Sequence, residues 1–402
     1  MTATDDPTAT TDLFGLFMSP AVRPDPYPTY ARLLSTRPVA DVSPDIRFVF
    51  GHDDCLALLR DRRVSVDERH SNFDLPAARD VVPTLIHLDP PDHTRLRALV
   101  ASAFTPRRVD ALRARAVELV DAALGRLSPG DEVDLIAEVA YPVPLTIICD
   151  LLGIAEGDRT AVRRWSTWMA RSIDPSVLRS AELNARIEVA ETEFADFIHA
   201  LVAERRCRPG DDLLSELVVA SVDGDRLGES ELLGLAVLLL AAGHETTVSL
   251  VGNGMLALLR HPDQWQAVRD GVGDERRIVD ELLRYDPPVQ MTTRIALDDI
   301  ELPTTTIAKG TIAVLMLGSA NHDAAVFADP HRLDVQAERA TGHVAFGFGI
   351  HHCLGAALAR AEGEAAIPAL VRRFPGMTLL AEPPLRPTFV LRGRDELRVR
   401  LA

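Results

Sequence analysis

The sequence lacks several features that would assign it to common classes of protein. Its four cysteines are spread over 402 residues, and no two of them form a C-x-x-C pair. Neither a disulfide framework nor a structural zinc site is therefore expected, and a reducing cytoplasm is the simplest location. Lys309 is the only lysine among 43 basic residues, which we attribute to the codon bias of a GC-rich bacterial genome.

Positive charge and long hydrophobic runs are also scarce. The 59 acidic residues outnumber the 43 basic ones, and the formal net charge is −16. General binding of nucleic acid or anionic lipid is disfavoured because both require a basic surface. The longest apolar run, 232–243, is shorter than the ~20 residues needed to cross a bilayer. We expect no secretory signal, a flexible tail over residues 1–20, and a soluble protein without a membrane anchor.

Hydrophobic patterning predicts a mainly helical protein. Hydrophobic residues make up 47% of the chain, which is enough for a large core. Spacings of three and four predict helices at 53–60, 109–127, 141–152, 160–171 and 181–205. A single long helix is expected from Glu229 to Arg260. Its first half is apolar on nearly every side, so this helix should run buried through the middle of the molecule.

Short β-branched segments predict a smaller sheet region. Bounded by turn residues, they lie at 47–50, 289–297, 306–307 and 311–315. Irregular segments are predicted at 70–82, a long loop of the kind that covers binding sites, and at 319–342. A last long helix is predicted at 354–373. The expected fold class is mainly α with a minor β region, and residues 21–402 are expected to form a single domain.

The most informative segment surrounds Cys353. It reads Phe346-Gly-Phe-Gly-Ile-His-His-Cys353-Leu-Gly355, and its glycines would let the backbone approach a flat group. The cysteine precedes a helix, whose positive end favours a thiolate, and a soft thiolate suits iron. A nucleotide-binding loop fits less well because His352 fills the third glycine position, and zinc would need further ligands. A buried cysteine in an ordinary turn stays open on this segment alone.

Three further segments accompany this loop, and together they resemble the cytochrome P450 monooxygenases. The loop is similar to the family's haem-binding signature, F-x-x-G-x-x-x-C-x-G, and L-A-R-x-E follows it. The other segments, in the family's order, are Asp89-Pro-Pro-Asp-His-Thr-Arg-Leu-Arg97, Ala242-Gly-His-Glu-Thr-Thr247 and Glu281-Leu-Leu-Arg284. They resemble an early helix beside the haem, the oxygen-activating motif of the central helix, and the E-x-x-R motif. The resemblance implies the cytochrome P450 fold, with haem between the central helix and the cysteine loop.

The resemblance also implies haem b (iron protoporphyrin IX), with Cys353 as the iron ligand. A thiolate ligand pushes electron density toward O₂ and favours O–O cleavage. That cleavage needs protons, and Glu245 and Thr246 match the family's acid–alcohol pair for delivering them. Gly243 leaves room where O₂ must fit, and the helix could widen there. Haem contacts within the loop are expected at Phe346, Gly347 and Gly355.

Two groups of charged residues follow from the same resemblance. Haem has two propionates that require cations. The positions that match the family's propionate ligands are His93, Arg97, Arg294 and His351. A structural ion pair is expected between Glu281 and Arg284, which lie three residues apart on one helix, with Arg339 as a third member.

The implied function is insertion of one oxygen atom from O₂ into a lipophilic small molecule, such as a natural product or a steroid. NAD(P)H is expected to supply electrons through a ferredoxin reductase and an acidic ferredoxin. The expected docking patch for this ferredoxin comprises Arg95, Arg97, Arg107, Arg108, Arg113 and Arg115. The expected walls of the substrate pocket are 67–86, 169–193, 239–243, 289–292 and 388–391.

Two alternatives keep the haem but change the activity. A peroxide-dependent haem hydroxylase usually lacks the acid–alcohol pair that residues 245–246 retain. A non-catalytic haem sensor or ligand carrier, from a different class of protein, would not need that pair. Turnover with a ferredoxin system, compared with turnover on added peroxide, separates the three hypotheses.

Overall fold

The computed structural model describes residues 12–73, 84–101, 104–219, 221–222, 225–337 and 342–402. Within these ranges the α-helices are α1 (Leu13–Met18), α2 (Tyr27–Thr36), α3 (His52–Arg60), α4 (Asp92–Ala101), α5 (Pro106–Leu124), α6 (Pro142–Leu152), α7 (Arg159–Met169), α8 (Ala181–Cys207), α9 (Leu213–Val219), α10 (Glu229–Gly243), α11 (Glu245–Arg260), α12 (Pro262–Arg269), α13 (Glu275–Tyr285), α14 (Leu317–Ala320) and α15 (Ala356–Arg373). Apart from the central helix, each helix predicted from the sequence is confirmed to within three residues.

Capping residues explain where the helices begin. The Thr105 hydroxyl accepts the Arg108 N–H at 3.3 Å, and Pro106 occupies the first position of α5. Similarly, the Ser180 hydroxyl accepts the Leu183 N–H at 3.1 Å at the start of α8. The α5 helix therefore starts three residues before its apolar periodicity, because its first turn is polar and only the cap marks it.

The central segment differs from its prediction. Instead of one continuous helix over 229–260, α10 and α11 are separated at His244, whose φ is −114° and ψ is −42°. The Thr246 hydroxyl donates to the Ala242 carbonyl at 2.8 Å, a local bond that often bends helices. Periodicity could not reveal this break, because apolar residues continue in helical spacing on both sides of it.

The segment 229–260 is long and apolar enough, by length and composition alone, to span a membrane. However, 61% of its apolar window is buried inside the protein. The α10 helix packs against α6 and α8, and α11 packs against α13 and α15. These contacts are those of a buried core helix, as its all-round hydrophobicity predicts.

The strands form one larger sheet and several small ones. Within the described residues they are β1 (Val39–Ser43), β2 (Ile46–Val49), β3 (Val64–Ser65), β4 (Glu132–Asp134), β5 (Ser221–Val222), β6 (Asp225–Arg226), β7 (Thr292–Ala296), β8 (Ile300–Glu301), β9 (Thr306–Ile307), β10 (Ile312–Leu315), β11 (Thr378–Leu379) and β12 (Arg398–Arg400). The larger sheet has the order β1-β2-β10-β7-β3, in which only β2 and β10 pair in parallel. The β12 strand lies between β11 and β4, and β5–β6 and β8–β9 form hairpins.

The predicted strands are confirmed at 47–50, 306–307 and 311–315 to within one residue. The segment 289–297 is strand only over β7, because its first residues leave the ladder after a single bridge between Val289 and Leu391. Part of the predicted loop 70–82 lies outside the described residues, which end at 73 and resume at 84.

The α1 helix corrects the predicted N-terminal tail. Its Phe17 is buried, with ring centroids 5.3 Å from Tyr30 and 6.1 Å from Phe48. Because α1 presents an apolar face that requires cover, it packs onto the core beside β2. The prediction of a flexible tail over 1–20 is therefore wrong for the stretch that contains α1, and residues 1–11 lie outside the described ranges.

Candidate active site

The loop before α15 is closed by a backbone hydrogen bond and shaped by two left-handed glycines. The Cys353 N–H donates to the Phe346 carbonyl at 3.0 Å. Gly347 has φ +63° and Gly349 has φ +71°, a region that side chains disfavour. A Cβ on Gly349 would lie 2.3 Å from the carbonyl oxygen of Leu59 on α3. The loop is therefore fixed on both sides, and it presents Cys353 just ahead of α15.

Cys353 is exposed to solvent as a residue, although protein atoms surround its thiol, and we interpret these surroundings as a recess. Burial raises the pKa of this thiol, whereas a Gly355 hydrogen bond and the charges of Arg97 and Arg360 act in the opposite direction. Burial prevails, and the pKa is raised. A bound metal ion would deprotonate the thiol outright by coordinating it.

The four residues predicted to bind propionates lie together beside this loop. The ring centroids of His93 and His351 are 4.2 Å apart. Both ring nitrogens of His93 and Nε2 of His351 are buried without a hydrogen-bond partner in the described part of the chain. The Arg97 guanidinium donates to the His352 carbonyl at 2.6 Å. Within the described residues, Arg294 donates only to its own strand, to Thr292 Oγ1 at 3.4 Å and to the Thr293 carbonyl at 2.7 Å.

Electrostatics mark the same cluster as a site for anions. Burial and the charges of Arg294, His93 and Arg97 lower the pKa of His351 to about 3. Burial also lowers the pKa of Arg294 to about 10, although Asp89 opposes this. Among the described residues no carboxylate lies within ion-pair distance of either arginine. Arg294 is buried and Arg97 is half-buried. Cations in such surroundings are costly without a nearby anion, so this cluster favours negative charge from elsewhere.

These observations fit a cofactor that carries both iron and carboxylates. Two guanidiniums and unsatisfied imidazole nitrogens can bind two carboxylates through charge-assisted hydrogen bonds. A thiol in a recess, within range of the Arg97 charge, offers a soft ligand for iron. The residues present therefore suit haem, as the sequence predicts.

Gly243 and Thr246 flank the break between α10 and α11. A Cβ on Gly243 would lie 3.1 Å from Ile148 Cδ1 on α6, so close packing between α10 and α6 accounts for this glycine. Its predicted role in leaving room for O₂ stays a prediction. Thr246 is partly exposed, and its hydroxyl already bonds to the preceding turn.

The Glu245 carboxylate is held by charges that sequence reasoning missed. It is buried, accepts from Arg386 Nη1 at 2.6 Å, and lies 3.5 Å from His244 Nε2. Burial would raise the pKa of Glu245, but His244 and Arg386 outweigh it and lower the pKa. No hydrogen bond joins Glu245 to Thr246 within the described residues. A buried carboxylate predicts a cationic partner, but no sequence signal indicates which arginine supplies it.

Glu281 and Arg284 form a buried bidentate ion pair, with N–O distances of 2.8 and 2.9 Å. The remaining N–H groups of Arg284 donate to the carbonyls of Asn321, Pro330 and Arg332 at 3.0, 2.7 and 3.0 Å. All five guanidinium donors of Arg284 are therefore used. The pair anchors the irregular segment that precedes the cysteine loop to α13.

The predicted third member of this group, Arg339, lies outside the described residues. Within the described part, the irregular segment reaches the pair through its backbone. The Asp334 N–H donates to Glu281 Oε1 at 3.0 Å, in addition to the three carbonyls above. Backbone partners of this kind leave no residue-specific signal in a sequence.

The predicted arginine patch is mostly neutralised by neighbouring carboxylates, which corrects the expectation of a free basic surface. Its ion pairs are Arg95–Glu231, Arg108–Glu216, Arg113–Glu364, and Arg115 with Glu118 and Asp150. Arg97 belongs to the anion-binding cluster. Arg107 is exposed and has no ion pair in the described part of the chain.

Three of the predicted pocket walls meet. The Asp174 carboxylate, from the connection between α7 and α8, accepts the N–H of Phe389 at 2.9 Å and of Val390 at 2.8 Å. Val289 bridges to Leu391 in the next strand-like segment. The structure describes only residues 67–73 and 84–86 of the wall predicted at 67–86.

Comparison with known proteins supports the family that the sequence motifs resemble. Residues 275–389 match the family model Cytochrome P450. The cytochrome P450 monooxygenase PikC of Streptomyces venezuelae is 41% identical over 388 residues, which cover 94% of this chain and 91% of PikC. The 6-deoxyerythronolide B hydroxylase of Saccharopolyspora erythraea is 39% identical over 396 residues, or 94% of this chain and 96% of that protein. The structure of Mycobacterium smegmatis CYP164A2 has a TM-score of 0.89 at 38% identity, over 98% of this chain and 100% of that one.

The chain belongs to the cytochrome P450 family. Its mainly helical fold with a minor sheet region is the fold of that family, and the chain is a cytochrome P450 monooxygenase. Membership implies a haem–thiolate cofactor and the use of O₂ with redox partners.

Proposed function

We propose that this monooxygenase uses haem b to transfer one oxygen atom of O₂ to a C–H or C=C bond of a lipophilic small molecule. The observation that carries the proposal is the convergence of a recessed thiol, Cys353, with an unpaired cationic cluster. Cations without carboxylate partners are costly to bury, so the cluster serves little structural purpose without an anion. The exposed Cys353 thiol beside it contributes little to the core. Bound iron and two carboxylates would satisfy both.

Each residue of the site then has a proposed task. Cys353 Sγ would ligate the iron. Arg97 and Arg294 would hold the propionates, with His93 and His351 completing their hydrogen bonds. Phe346, Gly347 and Gly355 would contact the haem on the loop side. When bound, haem supplies the iron centre at which O₂ is reduced.

We assign proton handling to the break between α10 and α11. The Thr246 hydroxyl, oxygen Oγ1, is proposed to hold a water and pass on its proton. The Glu245 carboxylate is ionised at neutral pH, because His244 and Arg386 lower its pKa, so it must take up a proton before passing one on. Arg386 fixes this carboxylate in place. Gly243 allows the two helices to approach α6 closely at the same point.

The electron donor is proposed to be a ferredoxin, reduced by NAD(P)H through its reductase in the cytoplasm. Since most of the predicted arginine patch is paired, we place the docking surface on the cysteine loop itself. Phe348 and Ile350 are exposed there, and Arg60 lies 4.2 Å from the Phe348 ring centroid. Two exposed apolar side chains beside an arginine suit an acidic partner, and they lie in the same loop as the proposed iron ligand.

The substrate is proposed to be lipophilic because apolar residues predominate in two of the expected walls, 239–243 and 388–391. Leu239, Val289 and Val390 are partly exposed, as expected for side chains that face a ligand cavity. One relative is named for its action on 6-deoxyerythronolide B, which supports a natural product as the substrate class.

The test begins with the purified haem protein. Lipophilic compounds are screened for a shift of the haem absorption spectrum, and the best binder is incubated with ¹⁸O₂, NAD(P)H, a ferredoxin and its reductase. One ¹⁸O atom in the product supports the proposal. Product formation only with added peroxide, or product without label, would contradict it.

A further inference from the structure

A partly buried charge pair lies behind the cysteine loop. The Arg360 Nε–H on α15 donates to Asp280 Oδ1 on α13 at 2.6 Å. The Arg360 guanidinium carbon lies 4.4 Å from the ring centroid of Phe346, within range for a cation–π contact. Only 15% of the Arg360 side chain and 32% of the Asp280 side chain are exposed. Solvent therefore screens this pair incompletely.

The pair is continuous with the residues that hold the thiol. Phe346, on which Arg360 rests, accepts the Cys353 N–H with its carbonyl. His343 Nε2 lies 3.2 Å from the same Asp280 oxygen, and the pKa of Asp280 is lowered to about 2 because His343 and Arg360 outweigh its burial.

Neither residue is placed for surface recognition or for contact with a substrate. Arg360 is mostly covered and is fixed by two partners, whereas residues that dock other proteins are exposed. A charge held rigidly near a metal ligand changes the relative energies of the oxidation states of the metal. One-electron reduction makes a haem–thiolate site more negative, so a nearby cation stabilises the reduced form and a nearby anion opposes it.

We propose that Arg360 and Asp280 are positioning residues that set the reduction potential of haem bound at Cys353, with Arg360 raising it and Asp280 moderating the effect of Arg360. This inference rests on the proposed function, because it requires haem bound through the thiolate. In this proposal the Arg360–Asp280 pair controls how readily the haem site accepts its first electron.

The test is a redox titration of the substrate-free haem protein, without any partner protein. Arg360→Gln should lower the midpoint potential, and Asp280→Asn should raise it. We expect a change of roughly threefold to tenfold in the reduction equilibrium constant for each variant, or about 30 to 60 mV for one electron. Arg360→Lys retains the charge and should lie between Arg360→Gln and the unsubstituted protein.

Arg276→Gln is the matched control. Arg276 lies 3.5 Å from Asp280 on the same helix but is 53% exposed, so solvent screens it and its removal should leave the potential nearly unchanged. Shifts of the same sign in Arg360→Gln and Asp280→Asn would indicate loss of packing and would overturn the inference. Unchanged potentials in proteins that keep a thiolate-type ferrous carbon-monoxide band would also overturn it, while leaving the proposed function intact. Absence of that band from the unsubstituted protein would instead refute the proposed function and this inference with it.

Discussion

At the scale of single residues, Glu245 and Thr246 are neighbours in the chain but differ in their surroundings. Glu245 is buried and bound to Arg386, whereas Thr246 is partly exposed and bonds to the turn before it. Successive residues on a helix point about 100° apart, so the two side chains serve different faces of α11. In the proposed relay, a proton would therefore pass between them through water.

Thr246→Ala should separate electron consumption from product formation. The variant should still bind substrate and accept the first electron, because the hydroxyl touches neither the thiol nor the cation cluster. Product per NAD(P)H should fall while hydrogen peroxide accumulates, since loss of a positioned proton donor typically costs ~10²- to 10⁴-fold in the chemical step. Stoichiometry of NAD(P)H, peroxide and product provides the measurement.

Thr247→Ala is the control for this variant. It removes the same side chain from the adjacent, buried position, so it should lower stability without changing the ratio of product to NAD(P)H. An unaltered ratio in Thr246→Ala as well would assign Thr246 to packing alone.

Arg97 and Arg294 should each contribute to haem retention. If these arginines hold the propionates as proposed, Arg97→Ala and Arg294→Ala would each remove one charge-assisted bond to a carboxylate, a loss of roughly 1.5–3 kcal/mol. We expect faster haem transfer to apomyoglobin from each variant, and low haem occupancy in the double variant with helical circular dichroism retained. Arg107 is an exposed arginine on α5, and the control variant Arg107→Ala should retain haem normally. Full occupancy in the double variant would show that these arginines serve another ligand.

At the scale of elements, α15 links the cysteine loop to four helices and carries a carboxyl group that no part of the mechanism uses. Glu362 is buried, and its Oε2 has no hydrogen-bond partner among the described residues. Burial raises its pKa from 4.5 to about 8. The folded protein therefore keeps this group protonated over a pH range in which the unfolded chain releases the proton.

This difference predicts that stability falls as pH rises between about 5 and 8. The folded state binds one more proton than the unfolded state in that window, so the free energy of unfolding decreases by up to about 1.4 kcal/mol for each pH unit. Glu362→Gln stays neutral at every pH and should abolish this part of the slope. Urea unfolding at several pH values measures it.

Glu188→Gln, on the exposed face of α8, is the control and should leave the slope unchanged. Equal slopes in the unsubstituted protein and in Glu362→Gln would mean that Glu362 ionises normally in the fold and finds a partner or water.

Regular elements were predictable from the sequence wherever one physical signal dominated. The helices α6 and α8 follow apolar periodicity, and β9 and β10 follow β-branched runs between turns. The signal was insufficient where a local polar bond competes with it, as at His244, where the Thr246 hydroxyl bonds to the preceding turn. It was also insufficient at α1, because a six-residue helix is too short to show a period and depends on tertiary packing.

At the scale of the whole molecule, the site is assembled from segments that are distant in sequence. The sequence motifs indicated the thiol and the cation cluster, because each needs particular residue types at fixed spacings. They did not indicate Arg386, which reaches Glu245 across 141 positions, nor the neutralisation of the arginine patch. Ion pairs between residues that are distant in sequence depend on how the helices and strands pack. They produce no repeating pattern in the sequence from which they could be predicted.

The central claim is that Cys353 binds haem iron as a thiolate, and the ferrous carbon-monoxide spectrum tests it most directly. The unsubstituted protein should give the red-shifted band that a thiolate ligand produces, and Cys353→His should retain haem but lose that band. Cys207→Ser, at the other exposed cysteine, should leave it unchanged. Persistence of the band in Cys353→His, or its absence from the unsubstituted protein, would contradict the account.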